Sequence, residues 1–307
     1  MKDKYQNIKT GVIGVGLMGG YHAKIYNDIS DLIALSDTNE ELLNEMSSSY
    51  GVKGYQDYEE LLSQVDAISI CTPTIFHKEI ALKAIEYGVN ILVEKPLASN
   101  SMDAEEIVKA AKSSDVVLSV GHIERFNSVF EFTKENIDKQ SGDSPITMTA
   151  RRFSPFPKRI SDVGVLFDLT IHDVDIICSL INSKPLEVYA VGGNAKNNKY
   201  EDYATVVIRF ENGSIGICEN NWLSPISTRE LNVFTQDSRI ILDFLNQTVD
   251  IIEFRDEDKT KKHILMKENS LEKELLDFLE SISNSKEPRV SGEQGLQAVK
   301  IVEASLL

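Results

Sequence analysis

The stretch IKTGVIGVGLMGGYHAKIYND, residues 8–28, narrows the folds open to this chain more than any other. An apolar run from Ile8 to Ile13 reads as a short strand, and Gly14, Gly16 and Gly19 then supply G-x-G-x-x-G ahead of an amphipathic helix. Each glycine has its own reason: the first permits a tight turn, the second lets backbone approach a pyrophosphate, and the third allows close helix–strand packing. The start of the helix, at Leu17 and Met18, offers backbone N–H groups to the phosphates. Glycine turns are common, so the context matters: a strand before, a helix after, then a second strand, DLIALSD. That strand ends in Asp37, about twenty residues beyond the glycines, where a carboxylate can hold a ribose 2′-hydroxyl. Thr38, Asn39 and Glu40 follow, with no Arg or Lys to accept a 2′-phosphate, so NAD is expected rather than NADP.

The alternation continues. VDAISICTP reads as a third strand, Phe76 to Tyr87 as a helix, NILVEKP as a fourth strand, Ser101 to Lys112 as a helix and VVLSVGH as a fifth strand. Strands alternating with helices of this length imply βαβ units and a parallel sheet. Ligands bind such sheets at the carboxyl ends of the strands, and those ends carry Gly14, Asp37, Thr72, Pro73, Glu94, Lys95 and Gly121-His122. A lysine closing an apolar strand usually snorkels to the surface. Lys95 would instead point into the dinucleotide crevice, which favours a catalytic or substrate-binding role. From about Phe126 the pattern changes to successive strands separated by turn residues, from PITMTARRF to TVDIIEF, with two amphipathic helices near the end. The expected class is α/β, with a Rossmann domain over residues 1–122 and an α+β domain over 123–307. The last helix is expected to pack near the Rossmann domain.

LFDLTIHDVDIICSL, residues 166–180, is apolar almost all round yet carries Asp168, His172 and Asp175, which share one face at helical spacing. By itself the segment leaves two readings open, a site and a polar stripe on the domain surface. RRFSPFPKRI gathers Arg151, Arg152, Lys158 and Arg159, which suits either a diphosphate or a solvated loop. Trp222 reads as core or interface. A net charge of −16 argues against nucleic acid or an anionic membrane surface as partner. Cys71, Cys178 and Cys218 have no metal-ligand spacing, so free thiols and no metal are expected. With no apolar leader and no apolar window approaching a membrane span, a cytoplasmic location is expected.

Taken in order, the glycine turn, CTPTIFH, EKP, GHIERFN and DLTIHD resemble the glucose-fructose oxidoreductase, inositol dehydrogenase and rhizopine-catabolism family across essentially the whole chain. The resemblance implies a Rossmann domain followed by a domain with a large, mostly antiparallel sheet often used for oligomerisation, here a homodimer or homotetramer. It implies oxidation of sugar or cyclitol hydroxyls, or the reverse reduction, with NAD or NADP. Lys95 matches the family's catalytic lysine, and Asp168 and His172 its Asp-x-x-x-His pair. Thr72, Pro73, His77 and Glu94 fall on the nicotinamide side, and the peptide before Pro96 is expected to be cis. VGHIERFN and the segment from Arg151 to Ile176 are most similar to the UDP-N-acetylglucosamine 3-dehydrogenase subgroup, whose products go to an aminotransferase. In that case Lys95, His122, Arg151, Arg152, Asp168 and His172 would contact the substrate. His172 would be the base, with Asp168 orienting it and Lys95 binding the reacting oxygen or sharing the base role. Ser128 stands where the subgroup has proline, and Thr170 where many members have a small residue. A free sugar, a cyclitol or another nucleotide sugar remains an alternative substrate, and a non-catalytic NAD sensor an alternative role.

Overall fold

A computed structural model describes residues 5–139, 145–157, 163–196, 199–254 and 260–306. Strand β1 (Tyr5–Ile13), helix α1 (Leu17–Ile29) and β2 (Ser30–Ser36) begin an alternation that runs through α2 (Glu40–Tyr50), β3 (Lys53–Tyr55), α3 (Tyr58–Leu62), β4 (Ala67–Ile70), α4 (His77–Glu86), β5 (Asn90–Glu94), α5 (Ser101–Ser113) and β6 (Leu118–Gly121). The strands pair in parallel in the order β3-β2-β1-β4-β5-β6. Helices cover parallel sheets on both faces, so their strands are continuous apolar runs; Val12, Ile68, Ile70, Ile91, Leu92 and Val93 are fully buried. Local chemistry sets the helix ends. Asn39 accepts the Leu42 N–H to cap α2, which Gly51 closes at φ 69°, and Asn100 accepts the Asp103 N–H to cap α5. The strand order reverses between β1 and β4, the switch point where doubly wound sheets bind their ligands.

The remaining strands form a second sheet. After α6 (Ser128–Lys139) come β7 (Thr147–Phe153), α7 (Ile171–Ile181), β8 (Pro185–Gly193), β9 (Tyr203–Phe210), β10 (Ile215–Asn221), β11 (Thr228–Phe234), β12 (Ser238–Asp243), β13 (Thr248–Glu253) and β14 (Thr260–Ile264). The order is β14-β13-β12-β11-β7-β10-β9-β8, antiparallel throughout except for the β7–β10 pair. One face is covered, with the period-two burial a half-solvated sheet requires: Ala204, Val206, Ile208 and Phe210 of β9 all point inward. Helix α7 lies close on β10, since a Cβ on Gly216 would meet Ile177 Cγ2 at 2.6 Å. Trp222 is buried in this unit, edge-on to Phe156.

Two compact units result, Ile123–Ser270 with the chain from Lys300 onward, and the residues up to His122 with Leu271–Val299. Helix α8 (Ser270–Asn284) thus joins the parallel-sheet unit, where Leu275, Phe278 and Leu279 share a core with Tyr5, Ile8, Val12 and Tyr26. The first turns of α9 (Gly292–Ala304) rest on β6; a Cβ on Gly292 would meet Leu118 Cδ2 at 2.3 Å. The sequence reading does not pick out α2, β3, α3, α6 or β14. Strand β3 has only three residues, β14 has no buried alternation, and α6 carries its apolar face on Val129, Phe130, Thr133 and Ile137. Among the described residues, no helix is long and apolar enough to cross a membrane.

Candidate active site

Gly14 ends β1 with φ +85°, and its N–H donates to Ser36 O at 2.8 Å. A Cβ there would sit 2.9 Å from the Cys71 carbonyl and the Thr72 nitrogen, so only glycine allows the turn to lie against the end of β4. A Cβ on Gly19 would come within 1.8 Å of Gly14 O, which is the close helix–strand approach the third glycine permits. At Gly16 the situation is opposite: among the described residues, nothing lies within 4 Å of where its Cβ would be. Gly16 is the N-cap of α1 and brings no capping side chain, and the first turn holds no acidic residue. The space before the helix therefore meets backbone N–H groups at Leu17 and Met18, which helix geometry leaves without intrahelical acceptors. This cradle fits a dinucleotide pyrophosphate.

Asp37 accepts the Val15 N–H on Oδ2 at 2.7 Å and the Asn39 N–H on Oδ1 at 2.8 Å. It clamps the glycine turn to the end of β2 while each oxygen keeps a further lone pair for a ribose hydroxyl. Glu40 and Glu41 in the adjacent first turn of α2 would repel a 2′-phosphate. Thr72 Oγ1 is buried beside the turn with no hydrogen-bond partner among the described residues, the kind of atom a bound ligand satisfies.

The other predicted residues of this unit gather at the ends of β4, β5 and β6. His77 is buried, with Nε2 2.9 Å from Thr72 O and Nδ1 2.9 Å from Pro96 O, so it braces one strand end against the next. Burial pushes its imidazole below the ordinary value, against the pull of the two carbonyls. The Lys95–Pro96 peptide is cis, as the resemblance implies, and Lys95 is half-buried. Glu94 turns its carboxylate inward: Oε1 accepts from His22 Nε2 at 3.0 Å and Oε2 from the Lys95 N–H at 3.2 Å. Burial raises the Glu94 value, but the hydrogen bond from His22, with the charge and backbone N–H of Lys95, outweighs it, leaving the carboxyl below the ordinary range. His122 is buried at the end of β6. His22 itself was not singled out from the sequence; its signal is a titratable residue on the buried stripe Gly19, His22, Ala23, Tyr26 and Ile29 of α1.

In the second unit, Asp168 and His172 are both half-buried, and the helix that carries them does not run with a uniform α-helical phase. Leu166–Thr170 forms a π-helical turn before α7, with the Ile171 N–H reaching back five residues to Leu166 O. Such turns occur often at functional sites. Thr170, the departure from the subgroup pattern, is buried inside it and donates to Asn220 Oδ1 at 2.7 Å. The expected stripe breaks at its third member: Asp175 is 3% exposed and faces Arg125 Nη1 at 3.6 Å, so it belongs to the interior.

The basic cluster also divides. Residues 151 and 152 are consecutive in a strand and so point to opposite faces. Arg151 is exposed and pairs with Glu219 at 2.6 Å. Arg152 is corrected from substrate ligand to interior residue: Nε donates to Asp173 Oδ1 at 2.9 Å and Nη1 to Glu124 Oε1 at 3.0 Å. Burial lowers its value, yet the charges of Asp173 and Glu124 more than compensate and hold the guanidinium protonated. Lys158 and Arg159 lie outside the described residues.

Comparison with known proteins follows these two units. The model of an NAD-binding, Rossmann-fold oxidoreductase family, GFO_IDH_MocA, matches residues 8–122, and that of the GFO/IDH/MocA C-terminal domain matches residues 138–241. The UDP-N-acetylglucosamine 3-dehydrogenase of Acidithiobacillus ferrooxidans is 33% identical over 90% of this chain and 89% of its own. A solved structure of that enzyme superposes with a TM-score of 0.90 over 97% of this chain and 96% of the other, at 31% identity. The myo-inositol 2-dehydrogenase of Thermotoga maritima is 30% identical over 95% of this chain and 93% of its own.

Proposed function

The chain belongs to the GFO/IDH/MocA oxidoreductase family and uses NAD, and we propose that it oxidises the 3-hydroxyl of UDP-N-acetylglucosamine to a ketone. The reading is carried by the 33% identity to an enzyme of that name over 90% of the chain. Bound NAD supplies the hydride acceptor. His172 removes the hydroxyl proton, the role suited to the side chain whose unperturbed value lies nearest neutrality. Asp168, four residues earlier on the π-distorted helix, orients that ring. Lys95 donates to the reacting oxygen and stabilises its developing alkoxide character. An aminotransferase consumes the 3-keto product, the enzyme works in the cytoplasm, and Arg151 contributes to diphosphate binding by exchanging Glu219 for phosphate.

The inositol dehydrogenase relative, 30% identical over 95% of the chain, favours a cyclitol as the second reading. A non-catalytic sensor is disfavoured because Lys95, Asp168 and His172 are all present. The two substrates are separated by following NADH formation with UDP-N-acetylglucosamine, free N-acetylglucosamine and myo-inositol, with an aminotransferase and glutamate drawing the ketone forward. Turnover that needs the UDP group supports the nucleotide-sugar reading, and Arg151→Ala should then raise KM for the nucleotide sugar and leave KM for NAD unchanged. Turnover with myo-inositol alone overturns it. Tyr189, Val191 and Tyr203 on β8 and β9 are 64%, 69% and 41% exposed. They fit contact with a second copy of the chain in a homodimer or homotetramer, which light scattering on the purified protein would count.

A further inference from the structure

Beneath the Lys95 end of β5 lies a string of buried polar groups for which cofactor binding gives no reason. Tyr26 Oη and Ser69 Oγ are 2.9 Å apart, Ser69 Oγ and His22 Nδ1 2.9 Å, and His22 Nε2 and Glu94 Oε1 3.0 Å. Glu94 Oε2 then accepts the backbone N–H of Lys95 at 3.2 Å. Tyr26, His22 and Ser69 have no solvent exposure, and Glu94 has 9%. Donors running in one direction, from Tyr26 to Ser69 to Nδ1 and from Nε2 to Glu94, satisfy every member with a single proton on the ring. Burial raises the Tyr26 phenol far above its ordinary value, which keeps the first donor of the string in place.

A second observation shows that the carboxylate has a prepared seat. Gly121 on β6 lies opposite Glu94, and a Cβ there would meet Glu94 Cα, Cδ and Oε2, each at 3.1 Å. The neighbouring strand leaves room for the carboxylate and holds it from the side away from His22. His77 takes the next link of the backbone, with Nδ1 2.9 Å from Pro96 O. Buried ion pairs are weak devices for stability, because apolar residues of similar size often serve as well or better. A string that ends on the amide of Lys95 has a use that apolar packing could not supply.

We propose that His22 is a positioning residue for the dehydrogenase site, acting through the Glu94 carboxylate to fix the backbone and setting of Lys95. This rests on the reading of Lys95 as a catalytic residue. Besides His22, the groups whose charge bears on this carboxylate are Lys95 itself, His77 of α4, Cys71 at the end of β4 and Glu274 of α8. His22, Glu94 and Glu274 also bring three ligand atoms within 4.8 Å of one another, but Nε2 and Oε1 already meet at hydrogen-bonding distance.

The test is a double-mutant cycle of His22→Leu, Glu94→Gln and the two combined, with kcat, KM, NADH affinity and melting temperature measured for each. Misplacing a reacting group by an ångström costs about 100-fold in rate, so each single change should lower kcat by roughly 10–100-fold. The double variant should be no slower than the slower single, and His22→Gln, which keeps a donor toward Glu94, should recover part of the loss. NADH affinity of His22→Leu should stay at the wild-type level. Losses that multiply in the double variant, an unchanged kcat in His22→Leu, or a fall in NADH affinity that matches the fall in kcat would each overturn the proposal. Should His22→Leu alone fail to fold, the comparison moves to the Glu94→Gln background, where residue 94 carries no charge for the loss of His22 to leave unpaired. The labelling rate of Lys95 by a neutral amine-reactive reagent, read by mass spectrometry, needs no turnover. A wild-type protein inactive on every sugar would sink the catalytic reading, and this rate would still decide the inference: faster labelling in His22→Gln and Glu94→Gln supports it, an unchanged rate overturns it.

Discussion

The first unit buries Glu94 on a string of neutral donors, whereas the second sets two buried acids, Glu124 and Asp173, against two guanidinium groups. Arg152 lies between the two acids, and Arg229, half-exposed, adds a second positive charge at Glu124 Oε1 at 3.2 Å. Asn220 extends this network to Thr170, donating to Asp173 Oδ2 at 2.6 Å. The two designs fail differently. Loss of a neutral donor from the string leaves a carboxylate that can still settle on the Lys95 amide, so its geometry suffers most. Loss of a charge from the balanced cluster strands an opposite charge in the interior, which is a stability event.

Lys95→Met tests the end that the string serves and should have the largest effect, a fall in kcat of about 10²–10⁴-fold. NADH should still quench or shift in a binding titration, because the glycine turn and Asp37 are untouched. Full activity in this variant would remove the reason for the string to end where it does. In the second unit, Arg152→Met leaves Glu124 and Asp173 buried and facing each other. A loss of about 3–5 kcal/mol is expected, or a melting temperature lower by roughly 6–20 °C. A drop of only a degree or two would show that Arg229 alone neutralises the cluster and that the balance of two against two is not needed.

The pH dependence sharpens the same contrast. Burial pushes Glu124 up, but Arg152 and Arg229 outweigh it and hold the carboxyl below its ordinary value of 4.5. A carboxyl lowered on folding contributes stability that is present above the unfolded value and lost as pH falls through the folded one. Thermal stability should therefore decline as the medium is acidified below the ordinary carboxylate value, and Glu124→Gln should be less stable at neutral pH with a flatter acid limb. Asp173 opposes this, since burial raises it above 3.8 in spite of Arg152 and Asn220. It favours the protonated form in the fold, and Asp173→Asn should steepen the acid limb. An acid limb unchanged in Glu124→Gln would place the titrating group elsewhere.

How far these features could be read from residues alone depends on what each requires. The glycine turn, the strand ends and the alternating helices follow from local spacing, and all appear where the pattern puts them. Asp37 was readable as a strand-end carboxylate, but not its bond to the Val15 N–H, which joins positions 22 apart. The partner of His22 is 72 positions away, and no local period points to it. Arg152 was misassigned because counting charges along RRFSPFPKRI ignores the alternation that sends neighbours in a strand to opposite faces. The stripe of Asp168, His172 and Asp175 assumed a uniform helical period; the π turn breaks that period at Asp168, and Asp175, in the regular helix after it, is taken inward by Arg125, a partner 50 positions away.

That turn gives the smallest and most specific prediction. Thr170 donates to Asn220 Oδ1 at 2.7 Å and lies 3.4 Å from Val165 O, so its hydroxyl ties the widened turn both to β10 and to its own start. Thr170→Val keeps the β-branched shape and removes the donor, leaving Asn220 Oδ1 buried without it, at a cost of about 1–3 kcal/mol. Thr170→Ser keeps the hydroxyl and should stay near wild type in both stability and rate. The comparison between regions turns on what else moves. Should the ion cluster serve only the core, Thr170→Val will lose stability and keep its kcat. Should it also seat the helix that carries Asp168 and His172, kcat will fall alongside stability while NADH affinity holds, and the second unit's network will share the positioning role assigned to the string in the first.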